Sequence, residues 1–296
     1  MLIQTLNAHA SQRLNSDDST RRELFAGGGF LLVDVPRGAL LSVKSGLAGL
    51  WSVLSGEVVC CSGDARAALS TRHVFASDSQ RHLTITTGAN GRCVGVVATQ
   101  GAWAALLYPC LGVHARDYAL FPGLHDANRA VRRHGVRLLR AARAGAAPDR
   151  LECAAALAAL LHDLQHEYQP LIERCPGHSC AKRRAVFMRL QRARNCIALD
   201  DVGDVGVGRL ALAANYSVWR FIKVFCMVYG DTPYACVLRT RAERARRLLQ
   251  SSDLAVGDIG RAAGFDSRSA FTRTIKQRFG QSASAFRCTA RLQAAP

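Results

Sequence analysis

Short apolar segments alternate with turn residues over the first hundred residues of the chain. They begin near Phe25, are rich in Val, Leu and Thr, and read FLLVDV, LLSVKS, LWSVLSGEVVCC, HLTITT and CVGVVAT. Turn clusters such as Pro36-Arg-Gly38 and Gly88-Ala-Asn-Gly91 separate them. Segments of this length and spacing are typical of a small all-β barrel or sandwich. We therefore expect a β-rich domain over residues 1–120.

A helical period replaces this pattern after Gln100. Residues 127–144 place Val131 and Val136 among arginines at helical spacing, and residues 149–168 are rich in Ala and Leu. Both stretches predict amphipathic helices. We interpret residues 121–182 as a helical linker, for which a dimer seam and packing within the chain remain equally open.

The C-terminal part repeats one pattern of helices and turns. Each copy has a short Ala-rich helix, a tight turn, and a second helix with apolar residues four apart; the copies are Val207–Phe225 and Val256–Phe279. This order predicts two helix-turn-helix units. Between them, Thr232 as a cap and Pro233 as a first helical residue predict a long basic linker helix.

The second unit has the clearer frame. Gly264 stands where the chain must reverse, since glycine takes a positive φ without a Cβ clash. Phe265 is expected to fill the angle between the helices, and Phe271, Ile275 and Phe279 form one buried stripe at i, i+4 and i+8. The remaining polar side chains face outward, where arginine can span guanine O6 and N7 and hydroxyls can meet base edges or phosphates. These candidates are Arg268, Ser269, Thr272, Arg273 and Lys276.

The first unit carries a different set of side chains on the same frame. Asn215 stands where the second unit has Gly264, and Asn enters the left-handed region more easily than most residues. The helix that follows is mostly apolar, and Arg220 and Lys223 supply its charge. Trp219 fits a buried position and a groove-facing one equally well.

Charge makes a polyanion the first partner to consider. The formal net charge is +17, and residues 181–296 carry 21 Lys or Arg against 8 Asp or Glu. The basic surplus thus coincides with the predicted helix-turn-helix units, which favours double-stranded DNA. No apolar stretch resembles a signal peptide or reaches the ~18 residues of a membrane span, so we expect a soluble, cytoplasmic protein with no membrane partner.

Cysteine and histidine residues suggest neither a metal nor a cofactor. The eleven cysteines form no CxxC pair, and Cys175, His178 and Cys180 lack zinc-knuckle spacing. A redox or metal role for that trio stays open beside a plain turn. We predict no metal site in the β region, where His73, His82 and His114 recur without a metal-binding motif.

The linker helix, second unit and closing turn, LRTRAERARRLLQSSDLAVGDIGRAAGFDSRSAFTRTIKQRFGQSASAFR, resemble the AraC/XylS family of bacterial transcription regulators. One departure is Ala283, where the family usually has Pro. The residues that carry the resemblance are Arg241, Ala245, Leu248, Leu249, Ile259, Ala262, Gly264, Phe265, Phe271, Arg273, Phe279, Gly280, Ser282 and Phe286.

This resemblance implies a bipartite, seven-helix DNA-binding domain at residues 183–290, with recognition helices near Val218 to Met227 and Arg268 to Arg278. It also implies a cupin-like N-terminal regulatory domain, and hence an α+β chain. By position, DNA contacts fall on Trp219, Arg220, Ile222 and Lys223, and on Arg268, Ser269, Thr272 and Arg273.

The expected function is sequence-specific DNA binding that regulates transcription, not catalysis. The resemblance suggests activation through RNA polymerase, and a small-molecule effector at the N-terminal domain and a homodimer are both compatible with it. Two alternatives stay open: a DNA-repair methyltransferase-like enzyme using a reactive thiol such as Cys175, and a non-specific architectural DNA-binding protein.

Overall fold

The computed structural model describes residues 3–7, 11–14, 22–63, 65–111, 120–144, 147–199 and 205–294. The chain divides into two compact units, residues 1–195 and 196–296. The first unit is β-rich and the second helical, so the predicted α+β class is confirmed.

Two sheets make up the core of the first unit. Their strands are β1 (Ile3–Asn7), β2 (Ser11–Leu14), β3 (Phe30–Val35), β4 (Leu40–Val43), β5 (Leu47–Ser55), β6 (Val58–Ser62), β7 (Ala65–Leu69), β8 (His73–Ser77), β9 (Leu83–Thr87), β10 (Arg92–Thr99) and β11 (Gly123–Asp126). One sheet has the order β1-β3-β10-β5-β8-β11 and the other β2-β4-β9-β6-β7. The pairs β1–β3 and β2–β4 are parallel, and the other pairs are antiparallel.

Trp51 is buried at the centre of the six-stranded sheet. It lies opposite Gly95 on β10 and Phe75 on β8, and its indole Nε1 donates to Ser77 Oγ at 3.1 Å. A Cβ added at Gly95 would lie 2.1 Å from the indole ring, so only glycine leaves room for it. Because side chains alternate along a strand, the Trp51 ring lies on the face opposite to that of Leu50.

Helices cover the face of this sheet that carries Leu50. The helices of the first unit are α1 (Arg22–Ala26), α2 (Gln100–Leu111), α3 (Arg129–Ala144), α4 (Ala147–Gln165), α5 (Gln169–Glu173) and α6 (Cys180–Ala198), which extends three residues past the division. Trp103 donates from Nε1 to Ala48 O at 3.0 Å, and Leu157, Leu161 and Leu164 pack into the same apolar cluster as Leu50. The region predicted as a linker therefore packs, through α3 and α4, within the chain. Leu138 and Leu139, further along α3, have side chains outside the described residues.

Helix α6 is also fastened to the first unit through its own side chains. Phe187 is fully buried, with ring centroids 5.0 Å from Phe121 and 5.2 Å from Tyr168. Arg192 Nε donates to the buried Asp78 carboxylate. Arg184, on the same helix, is buried although arginine is mostly found at protein surfaces.

The second unit consists of helices, of which α9 is the longest. They are α7 (Val207–Ala213), α8 (Val218–Tyr229), α9 (Pro233–Ser251), α10 (Val256–Ala262), α11 (Arg268–Phe279) and α12 (Ala283–Ala294). Thr232 Oγ1 accepts from the Ala235 amide at 3.1 Å, so Thr232 and Pro233 begin α9 as predicted. Helix α9 contacts α8, α10, α11 and α12 and thus joins both halves of the unit.

Within the described part of the chain, no single helix is long and apolar enough to cross a membrane. Helices α8 and α9 would meet that condition together, by length and composition only, across a bend of 68°.

Replacing Gly95 by Ala should destabilise the first unit, because the new methyl group would overlap the Trp51 ring. Overpacking of this kind costs about 1–3 kcal/mol, which a denaturant titration of the full chain would measure. Gly101→Ala is the control, since the nearest atom to its Cβ would be 4.0 Å away. Equal stability of both variants would contradict the close packing.

Candidate nucleic-acid interface

The two predicted helix-turn-helix units contain similar tight turns, although Ser217 follows Asn215 by two residues and Ser267 follows Gly264 by three. Asn215 has a φ of 60° and Gly264 a φ of 89°, so both lie in the left-handed region. The residue that follows each of them is hydrogen-bonded to the preceding helix. The Tyr216 amide donates to Ala211 O, and the Phe265 amide donates to Gly260 O, both at 3.0 Å. These bonds satisfy carbonyls at the end of α7 and α10 and set the direction of the next helix.

The helices that follow the turns have matching ends. Ser217 caps α8 and Ser267 caps α11, each accepting from the amide three residues on, at 3.4 and 3.2 Å. Both helices are 12 residues long, and both end at a left-handed glycine, Gly230 or Gly280. Counted from the caps, the two helices therefore align position by position.

Aromatic packing holds α11 in place. Phe271 and Ile275 are buried, and the Phe271 ring lies 5.3 Å from that of Phe265. A Cβ at Gly260 would lie 3.1 Å from the Phe271 ring, so α10 and α11 approach very closely there. Phe279 is partly buried and packs on Phe286 of α12, with ring centroids 5.4 Å apart.

The outer face of α11 is polar and basic. The Thr272 hydroxyl donates to Arg268 O at 2.9 Å, and Ser269 Oγ lies 3.1 Å from the capping Ser267 Oγ. The positive charge of this face comes from Arg268, Arg273 and Lys276. All five predicted contact residues of this unit are exposed together: Arg268, Ser269, Thr272, Arg273 and Lys276.

The outer face of α8 is more apolar. Trp219 is 73% exposed, so of its two sequence interpretations the structure has the outward one. Lys223 Nζ lies 5.2 Å from the Trp219 ring centroid, within cation–π range. Arg220 Cζ lies 5.6 Å from the centroid of the Tyr216 ring. Ile222 is also exposed.

Sequence reasoning did not include two exposed apolar residues at the ends of α8. Val218 and Met227 are each about half exposed. The signal that could have found Val218 is the register of the caps, since it follows Ser217 as Arg268 follows Ser267. The exposure of Met227 could have been predicted from the helical period, because Met227 does not lie on the buried stripe of Phe221, Val224, Phe225 and Val228.

Helix α9 positions the second turn by a polar contact as well as by packing. The buried Arg241 donates from Nη1 to the Asp266 carboxylate at 3.3 Å. Asp266 stands between Phe265 and the capping Ser267, so this ion pair ties the turn to the linker helix. From the other side, Arg287 of α12 donates to Leu254 O at 2.6 Å, in the loop before α10.

The structure gives no support to a reactive thiol at Cys175. The side chain is buried, and burial raises the pKa of the Cys175 thiol to about 12. Its sulfur lies 3.4 Å from Leu171 O, and the helix start at Cys180 follows a turn. Among the described residues no three His, Cys, Asp or Glu side chains form a group able to hold a metal.

The histidines of the β region contact hydroxyl groups. His73 Nδ1 lies 3.0 Å from Ser70 Oγ, and His82 Nε2 lies 3.3 Å from Ser42 Oγ. They belong to different sheets, since His73 begins β8 and His82 precedes β9. His114 lies outside the described residues.

Comparison with known proteins identifies the C-terminal region. A family model described as a helix-turn-helix domain matches residues 210–288. The MmsAB operon regulatory protein of Pseudomonas aeruginosa is 37% identical over 79 residues, 27% of this chain and 26% of that protein. ExsA, an HTH-type transcriptional regulator of the same species, is 42% identical over 60 residues, 20% of this chain and 22% of that protein.

A solved structure resembles a larger part of the chain at low identity. A crystal structure of an apo ToxT variant from Vibrio cholerae is matched over 88% of this chain and 97% of that one, with 10% identity and a TM-score of 0.37. The curated relatives are matched over only about a quarter of their own length.

The fold and the exposed helix faces define a bipartite helix-turn-helix domain. Residues 210–288 match the helix-turn-helix family model, and the resemblance to the AraC/XylS family that the sequence motif indicated is confirmed. At the position where the family usually has Pro, Ala283 still begins a capped helix, because Ser282 Oγ accepts from the Ala285 amide at 3.2 Å.

Truncating Phe271 to Ala should strongly destabilise the second helix-turn-helix unit, because the Phe271 ring fills the space between α10, α11 and Phe265. Loss of a buried phenylalanine costs about 3–5 kcal/mol. Thermal and denaturant unfolding would measure it, with the neighbouring exposed Thr272→Ala as the control, expected within about 0.5 kcal/mol. Unfolding of the Phe271 variant at the wild-type midpoint would show that the ring is dispensable.

Cys175 should resist alkylation in the native protein. At pH 7 a thiol whose pKa is about 12 is almost entirely protonated, and the thiolate is the reactive form. Iodoacetamide labelling followed by mass spectrometry should modify the exposed Cys288 first and Cys175 only after unfolding. Equally fast labelling of both would restore the reactive-thiol hypothesis.

Proposed function

We propose that the protein is a sequence-specific DNA-binding transcription regulator whose α8 and α11 read two separate segments of the major groove. One observation carries the proposal: two capped helices of equal length expose one face each, and their opposite faces are fixed by aromatic packing. A rigid helix with polar and basic side chains on its free face matches the major groove in size and chemistry.

Helix α11 would supply direct base readout and part of the charge. Arg273 lies in the middle of the exposed face, where a guanidinium can bind guanine O6 and N7 with two hydrogen bonds. Arg268 is at the helix start and is the second candidate for a base. Lys276, one turn further on, suits a phosphate, because its ammonium group is a point charge without fork geometry.

Helix α8 would read DNA mainly by shape and apolar contact. Trp219, Ile222 and Val218 present apolar surface of the kind that meets thymine methyl groups. Arg220 and Lys223 add two charges, and their aromatic neighbours restrict the directions in which they extend. We therefore infer that the second helix-turn-helix unit contributes more to the electrostatic part of binding than the first helix-turn-helix unit.

The linker helix α9 supports simultaneous DNA binding by both helix-turn-helix units. With 19 residues, α9 is about 28 Å long, which is comparable to the ~34 Å of one turn of DNA. Because α9 contacts the helices of both units, a change in the helix path would alter their spacing. We infer that the two recognition helices enter successive major-groove segments on one side of the duplex.

Regulation is part of the same proposal. The relatives include proteins named as a regulatory protein and a transcriptional regulator, and the β-rich unit provides a separate domain for control. We propose activation by contact with RNA polymerase in the bacterial cytoplasm, with dimer formation and an effector as further elements. The burial of Cys175 disfavours a repair enzyme that uses this thiol, while an architectural DNA protein predicts binding without sequence preference.

Selection of DNA from a random pool, followed by binding titrations, tests this function. Arg273→Ala should weaken binding to the selected site by about 1–3 kcal/mol and relax the preference at one base pair, with little change on scrambled DNA. Arg278→Ala is the matched control: it removes the same charge from the same helix at an exposed position away from the proposed face.

The salt dependence gives a second readout. The logarithm of affinity should fall linearly with the logarithm of salt concentration, by about 0.9 per phosphate contacted. Equal loss on selected and scrambled DNA in Arg273→Ala would make this side chain a phosphate contact. A pool that yields no enriched sequence would reject specific recognition and support the architectural alternative.

A further inference from the structure

An open-sided cavity lies on the helix-covered face of the six-stranded sheet. Its volume is about 280 Å³, and residues from β3, β5, β8 and β10, together with α3 and α4, form its walls. The volume is nearly twice the ~150 Å³ of an engineered apolar cavity that binds benzene. The cavity is therefore large enough for a small organic molecule with one ring and a short substituent.

The cavity is distinct from the space between the two sheets. That interior contains Trp51, whose indole nitrogen donates to Ser77 Oγ, and the cross-strand Phe75, both fully buried. The Trp51 ring occupies the space that a side chain at position 95 would need. A ligand between the sheets would have to displace this packing, whereas the outer cavity is already open.

The walls of the cavity are apolar and nearly without charge. Among the described residues that line the cavity, Ser52 and Thr71 supply polar side chains and Arg132 is the one charged residue. The apolar wall is formed by Leu32, Leu50, Val74, Val94, Val96 and Leu160.

Arg132 is held at the mouth of the cavity by its own helix. Its Nε donates to Ala127 O at 2.8 Å, just before α3, which fixes the direction of the guanidinium group. A single oriented arginine beside an apolar wall favours a ligand with one anionic group, since guanidinium pairs with a carboxylate through two hydrogen bonds.

Gly135 gives α3 an opening one turn beyond Arg132. It also lines the cavity, and a Cβ built there would meet no atom of the described residues within 4 Å. A glycine inside a helix costs about 0.5–1 kcal/mol relative to Ala. The space over Gly135 thus admits part of a ligand without any movement of the helix.

We propose that this cavity binds a compact, largely apolar monoanion, such as a small aromatic carboxylate. The apolar body packs between the sheet and α3 and α4, and the carboxylate pairs with Arg132. Because α3 and the sheet would both contact the ligand, binding stabilises the docking of α3 on the sheet. That the ligand controls DNA affinity rests on the proposed regulator function; binding itself does not.

Cinnamate and its neutral analogue cinnamamide are suitable probes for the full-length chain. Titration calorimetry should detect both, and methyl NMR spectra should place them beside Val94, Val96 and Leu160. Gly135→Leu, whose side chain would occupy the opening, should weaken both probes at least about tenfold. Gly208→Leu in α7, where a Cβ also meets nothing within 4 Å, is the control and should leave binding unchanged.

The charge on Arg132 is tested separately from the cavity. Arg132→Gln should weaken cinnamate by about tenfold or more and leave cinnamamide within about twofold, because only the anion loses its charge-assisted hydrogen bonds. The neighbouring exposed Arg133→Gln should weaken neither. Unchanged cinnamate affinity in Arg132→Gln would overturn the anion assignment.

Two further outcomes separate the site from the function. Absence of binding by both probes, or binding insensitive to Gly135→Leu, would overturn the site, whatever the protein does with DNA. Probe binding at the cavity without enrichment of any DNA sequence would retain the site and reject the regulator. A change in affinity for the selected DNA on saturation with cinnamate would connect the two.

Discussion

The close contact between Gly260 and Phe271 is the constraint on which the second helix-turn-helix unit depends. With no side chain at Gly260, α11 can lie directly against α10, and the Phe271 ring then packs on Phe265. The left-handed Gly264 brings the chain around in the few residues that this contact allows. Every exposed side chain of α11 takes its direction from that packing.

The first helix-turn-helix unit makes the same turn hydrogen bond with different residues and with one residue fewer before the capping serine. Ala211 stands in the place of Gly260, Asn215 in that of Gly264, and Phe221 in that of Phe271. The hydrogen-bonded turn is retained although its side chains differ, because the backbone path alone defines the angle. The exposed faces are therefore free to vary, and one is aromatic and apolar whereas the other is basic.

In the N-terminal unit, packing differs on the two faces of one sheet. On one face Trp51 and Phe75 fill the space, and Gly95 is needed to admit the larger ring. On the other face α3 and α4 cover the sheet but leave a cavity beside Gly135 and Arg132. Helix α6 joins this unit through Phe187 and the Arg192–Asp78 ion pair, so most of α6 belongs to the β-rich unit.

The sequence by itself determined the order of elements and the chemistry of the helix faces. Turn residues, caps and apolar spacing are local properties, so the β-rich part, both helix-turn-helix units and the long α9 could be predicted from short stretches of chain. The outward residues of α11 followed from the same period, because a helix with one buried stripe has one defined outer face.

Only the tertiary structure decided the features that need partners distant in the chain. Trp219 fits either a core or a surface by its residue type, and its exposure depends on Phe221 and Phe225 filling the core. The burial of Arg184 and the pairing of Arg241 with Asp266 likewise depend on which helices meet. The cavity is formed by strands and helices far apart in sequence, and a space between elements leaves no local pattern in any one of them.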